Sequence, residues 1–122
     1  SPALIVTVRS ASGKGTPMRK RDIKKVLRSA RKLIRIGWIK HIGEKEINGV
    51  MCYCSIGSIS AASLIVAGTH SAASKLYTAT MPYFRIAGFD SKTACIADWN
   101  DDPTTTHQDV LDKFTAVINS IK

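Results

Sequence analysis

The sequence predicts a mainly α-helical, compact single domain of about five helices, with a small β-hairpin and a β-prone N-terminal segment. Three observations carry this. Ile23, Val26, Leu27, Ala30, Leu33 and Ile34 recur at i, i+3, i+4, i+7, i+10 and i+11, which is one continuous stripe of a helix. Val110, Leu111, Phe114, Val117, Ile118 and Ile121 draw a second stripe near the C-terminus. Between them, Asn48-Gly49 sits between runs of strand character, and this dipeptide is the strongest short hairpin signal.

Taken in order, Ala3 to Val8 is β-prone, and Ser10 to Thr16 has the composition of a flexible linker, so residues 1–15 read as an arm and 16–122 as the folded domain. Gly13-Lys14-Gly15-Thr16 lacks the upstream glycine of a phosphate loop, and Gly follows its Lys, so that reading is rejected. Thr16-Pro17 suits the N-cap and first position of a helix reaching about Ile36, stopped by Gly37, with Trp38 as a core anchor. Trp38 to Ile42 and Val50 to Cys54 flank the hairpin. Ser55 is placed as the cap of a second helix ending at Gly68, thin on one face through Gly57, Ser58, Ser60, Ala61, Ala62 and Ser63, so that a neighbour can approach closely. Thr69 or Ser71 starts a third helix, which presents Ala72, Ala73, Leu76, Tyr77 and Thr80 and meets Pro82. Gly88-Phe89-Asp90 is a break, and Asp90 or Ser91 caps a short fourth helix to Trp99. Asn100 suits its C-cap and Pro103 fixes a corner. Thr106 with Asp109 then makes a capping box for the last helix, from about His107 to Ile121. Trp38 and Trp99 are expected to be mostly buried.

Composition bounds the function. One domain of 122 residues can bury a core without disulfides or metals, and 44% hydrophobic residues is a globular composition. Its apolar runs are far shorter than the roughly 20 residues of a membrane span. Ser1 to Val8 has neither a charged leading region nor a cleavage site, so no secretory signal and a cytoplasmic setting are expected. Cys52, Cys54 and Cys95 are an odd set, read as reduced thiols. The net charge of +9 is concentrated: Arg9 to Lys45 holds 13 Lys or Arg against two acids, +11, and the rest holds five against seven, −2. Such asymmetry points to an acidic partner.

Several blocks together resemble a small domain of unknown function found in actinobacterial proteins and in phages that infect those bacteria. They are Val26-Leu27-Arg28, Gly37-Trp38, Tyr53-Cys54-Ser55-Ile56-Gly57-Ser58, and Ile96-Ala97-Asp98-Trp99-Asn100-Asp101 followed by Pro103, Thr106 and Asp109-Val110-Leu111. The last block is the most specific, and the resemblance covers about residues 20 to 121. It departs at Thr104-Thr105, where many members carry Gly-Arg, and in a more basic first helix. The resemblance implies a phage or bacterial cytoplasmic setting and brings no activity with it.

The basic helix is the leading candidate site. Lys24, Lys25, Arg28, Arg31, Lys32 and Arg35 lie around its apolar stripe, with Asp22 as the one acid in that stretch. An ordinary solvated face mixes Glu with Lys; this one does not. It is expected to engage an acidic host protein without enzymatic chemistry, and the phage resemblance adds interference with host growth. The alternative is non-specific nucleic-acid binding, since the helix exposes no Asn or Gln to read adenine. A membrane-surface role is set aside because the core needs the aliphatic stripe. A third reading is an enzyme or metal site at the acidic corner of Asp98, Asp101, Asp102, His107 and Asp109, although helix capping explains Asp101 and Asp109 equally well. Zinc at Cys52 and Cys54 with His41, His70, Cys95 or His107 is disfavoured, because alternate strand residues face opposite ways. No cofactor and no metal are expected.

Overall fold

The structure, a computed structural model, describes residues 19–84 and 92–122. The expected N-terminal strand and linker, the Gly88-Phe89-Asp90 break and the Asp90 or Ser91 cap lie outside them. The side chain of Cys95 also falls outside the description.

Among the described residues, five helices and one antiparallel hairpin make a mainly helical, compact single domain, as the stripes predict. Helix α1 spans Lys20–Ile36 and buries Ile23, Val26, Leu27, Ala30 and Ile34. Its N-cap is Arg19 in an extended conformation with no side-chain cap, which replaces the expected Thr16. The hairpin pairs β1, Glu44–Ile47, with β2, Val50–Tyr53, in the register Glu44↔Tyr53 to Ile47↔Val50. Asn48 and Gly49 both take positive φ, 52° and 81°, the pairing a two-residue hairpin turn demands. The first strand therefore begins later than Trp38 to Ile42. Trp38 instead makes an isolated parallel bridge to Tyr53.

Helix α2, Ser55–Ala67, packs against both α1 and α3, His70–Thr80. A short 3-10 turn at Met81–Tyr83 follows, with Pro82 inside it. Helix α4 spans Lys92–Asp101, and α5, His107–Ser120, returns along α1. Phe84 and Phe114 meet edge to face at 4.9 Å in the core, together with Leu27, Ile34, Ile59 and Ile96. Trp38 and Trp99 are half-buried at its border; Trp99 packs on Phe84 with ring centroids 6.1 Å apart.

Two expected roles change hands. The cap of α2 is Cys54, whose sulfur accepts from the Gly57 N–H at 3.2 Å, while Ser55 is fully buried and occupied elsewhere. Gly37 ends α1 in an extended conformation that any residue can adopt, so its glycine has a different reason. A Cβ there would lie 2.7 Å from the Cys52 sulfur and 3.2 Å from the Met51 carbonyl oxygen.

Gly57 is under the same kind of constraint. Its Cβ would lie 2.0 Å from the Gly43 carbonyl oxygen, and that carbonyl accepts the Cys54 N–H at 3.0 Å. The small first turn of α2 therefore admits the backbone of the chain leading into β1, as well as a neighbouring helix. Gly57→Ala is expected to lower unfolding free energy by about 1–3 kcal/mol, the cost of overpacking against backbone. Gly43→Ala, with nothing within 4 Å of its added carbon, should stay within about 0.5 kcal/mol of the parent in urea unfolding. Equal losses in the two variants would contradict this packing.

Candidate interface on the basic helix

Of the eight cations of α1, the six candidate site residues do not form one set. Lys24 and Arg31 are turned toward α5: the Lys24 Nζ donates to the Ile121 carbonyl at 3.3 Å, and the Arg31 Nη1 donates to the Thr115 hydroxyl at 3.0 Å. The Arg31 Nε is enclosed with no partner. These two side chains knit α1 to α5, with Lys24 placed at the carbonyl end of α5, where the helix dipole favours a cation. Lys25, Arg28, Lys32 and Arg35 are exposed. The single salt bridge among the described residues joins His41 and Asp101, so within that set no carboxylate neutralises these four.

Together with Ser29 and Arg31, the four line a groove of about 460 Å³ whose other wall is Ile65 and Val66 of α2, so Arg31 borders the groove while its Nη1 reaches α5. Ile65 is 64% exposed, an aliphatic side chain held in water beside the cations. Sequence reasoning missed this wall, although a signal was present. Leu64-Ile65-Val66 is three consecutive apolar residues, and a helix cannot turn three consecutive positions to one face.

The acidic corner is a structural joint. Asn100 lies within α4, 1% exposed, and is therefore not the C-cap the sequence suggested. Its Oδ1 accepts from the Trp38 indole N–H at 2.8 Å, the Ser55 N–H at 2.9 Å and the Ser55 hydroxyl at 2.7 Å. Its Nδ2 donates to the Ile39 carbonyl at 3.2 Å and to the Asp101 Oδ1 at 3.0 Å. The same Asp101 oxygen accepts the His41 N–H at 2.8 Å, which holds His41 at φ 72°. Asp102 accepts from both the amide and the hydroxyl of Thr104, at 2.8 and 2.6 Å. Those two bonds, the hydroxyl's first, hold its carboxyl below the usual range. Its carbonyl also takes the Lys40 Nζ at 2.6 Å. The Thr105 N–H also donates to the Asp102 carbonyl at 3.0 Å, and Thr105 is buried.

Asp109 and His107 are also committed to structure. Asp109 and Thr106 form the expected capping box, at 2.9 and 3.1 Å. His107 stacks on Trp38 at 5.7 Å, and its Nε2 lies 2.6 Å from the Ile34 carbonyl. A carbonyl can only accept, so that nitrogen carries the proton and satisfies one of the free carbonyls at the end of α1. Asp98 is exposed.

A cavity of about 470 Å³ beside the joint is lined by His41, Glu44, Cys54, Ile56 and Asp101 among others. His41 Nδ1 lies 3.8 Å from Asp101, and the Cys54 sulfur is engaged with Gly57 rather than with His41. Burial, and after it the electrostatic influence of Cys54, pushes the Tyr77 hydroxyl above its ordinary value. No group of three His, Cys, Asp or Glu that could hold a metal ion occurs among the described residues. None of the described helices is long and apolar enough to cross a membrane.

A family model matches residues 18–120, from the start of α1 to the end of α5, and the chain belongs to that family, DUF6197, a family of unknown function. No curated protein and no solved structure matches the chain.

If Asn100 is the joint, Asn100→Leu strands the Trp38 indole, the Ser55 amide and the Ile39 carbonyl. Each buried unpaired group costs about 1–3 kcal/mol, so a loss of at least about 3 kcal/mol is expected in denaturant unfolding. Exposed Asn119→Leu should stay within about 0.5 kcal/mol of the parent. A loss below about 1 kcal/mol for the Asn100 variant would show that the joint is dispensable.

Proposed function

We propose that this chain is a small non-enzymatic phage or bacterial protein of the cytoplasm that binds an acidic host protein through the outer face of α1. The observation that supports it most is how the six candidate cations are used. Two are spent on α5, while Lys25, Arg28, Lys32 and Arg35 stand exposed without a carboxylate among the described residues. Four like charges on one short edge repel each other and gain from an anionic partner. Interference with host growth follows from the phage resemblance. The acidic corner supports this reading indirectly, because Asp101, Asp102 and Asp109 are engaged in turns and caps of the fold.

The test is a pull-down from bacterial lysate with the chain and with its Lys25/Arg28/Lys32/Arg35→Glu variant. Lys24 and Arg31 are kept because they hold α5. The chain is expected to retain a discrete protein through nuclease treatment and to release it at high salt, while the variant, folded by circular dichroism, retains none. Retention unchanged in the variant would remove α1 as the site. Material lost to nuclease would make nucleic acid the partner.

A further inference from the structure

The groove between α1 and α2 carries more information than its charge. We infer that it takes an acidic amphipathic helix of a partner protein, with apolar side chains on Ile65 and Val66 and carboxylates on Lys25, Arg28, Lys32 and Arg35. This rests on the proposed role of α1 and narrows it to one class of ligand.

Three observations lead there. The first is composition: one wall is cationic and the other aliphatic, and Ile65 remains 64% exposed. Water is a poor neighbour for that side chain, and a phosphate backbone offers it no better one. A protein segment that carries both carboxylates and aliphatic groups satisfies both walls.

Second is spacing. The cations follow one another at steps of three, four and three residues, rising about 4.5, 6.0 and 4.5 Å along the helix axis. Carboxylates at i, i+3 and i+7 of a partner helix rise by about the same steps. An extended segment presents same-side groups every 6.6–6.8 Å or so and falls out of step over the roughly 15 Å of the stripe.

Third is size. A groove of about 460 Å³ has room for a few inserted side chains and not for a whole helix, which is about 10–12 Å across. The partner therefore lies over the groove and inserts one face, the mode by which amphipathic helices are read through anchors at i, i+3, i+4 and i+7.

The probes are fluorescein-labelled peptides of roughly 18 residues, long enough for five helical turns. One carries Leu and Glu at helical spacing, and a second has the same composition scrambled. Polyglutamate and an oligothymidylate of similar charge complete the set. Titration by fluorescence anisotropy at moderate salt is expected to show the amphipathic peptide binding at least about tenfold tighter than the scrambled one and than either simple polyanion. Ile65→Ser, at an exposed position that leaves the fold intact, should remove about tenfold from the amphipathic peptide and leave polyglutamate unchanged. Equal affinity for the amphipathic and scrambled peptides, or no effect of Ile65→Ser, overturns the inference while the α1 reading stands. Tighter binding of the oligothymidylate overturns it in favour of nucleic acid. Binding that survives the four-residue charge reversal overturns both.

Discussion

One amide side chain joins four parts of this fold. Asn100 takes three donors on its oxygen, from Trp38 after α1 and from the backbone and hydroxyl of Ser55 in the first turn of α2. Its nitrogen ties the chain between α1 and β1 through Ile39 and steadies Asp101, which holds His41 in turn. The three donors also fix which way the amide points, since only an oxygen can accept them. A buried polar group of this kind is costly unless fully paired, and this one is fully paired. It therefore favours a single relative placement of α1, α2 and α4 over the sliding that aliphatic packing alone tolerates.

That placement makes the outer face of α1 a defined surface. Helix α1 touches α2 on one flank and α5 on the other. Lys24 and Arg31, on the α5 flank, are drawn into interhelical bonds. Lys25, Arg28, Lys32 and Arg35 find no such acceptors among the described residues, and with Arg31 they line the groove beside Ile65 and Val66. The same helix thus contributes both core and candidate interface, and the groove has the shape it does because α2 is held close by its small residues. Gly57 fitted beneath the Gly43 carbonyl is the tightest of these approaches.

Much of the fold was legible because it is local. The 3.6-residue stripes of α1 and α5, the Asn48-Gly49 turn, the Thr69 cap and the Thr106–Asp109 capping box each depend on neighbours within a few positions. What escaped the sequence depends on partners far along the chain. Asn100 reads as a C-cap by type, and apart from Asp101 its partners lie 45 to 62 residues away. Gly37 reads as a helix stop and is required by Cys52. Ser55 reads as a cap, yet its hydroxyl is claimed by Asn100, which leaves capping to Cys54. The candidate site divides the same way. The charge run was visible, whereas the bonds that Lys24 and Arg31 make to α5 needed the position of that helix. The aliphatic wall needed α2.

The most direct test of the Asn100 joint is native-state hydrogen exchange by NMR at the Trp38 indole N–H and the Ser55 amide. Both protons belong to groups at the edge of the core that would open locally if aliphatic packing alone held them. The account predicts that both exchange as slowly as the amides of Val26 and Leu27 in the middle of α1, through global unfolding. Exchange about a hundredfold faster than those core amides, with α1 still protected, would contradict it and reduce Asn100 to a local contact.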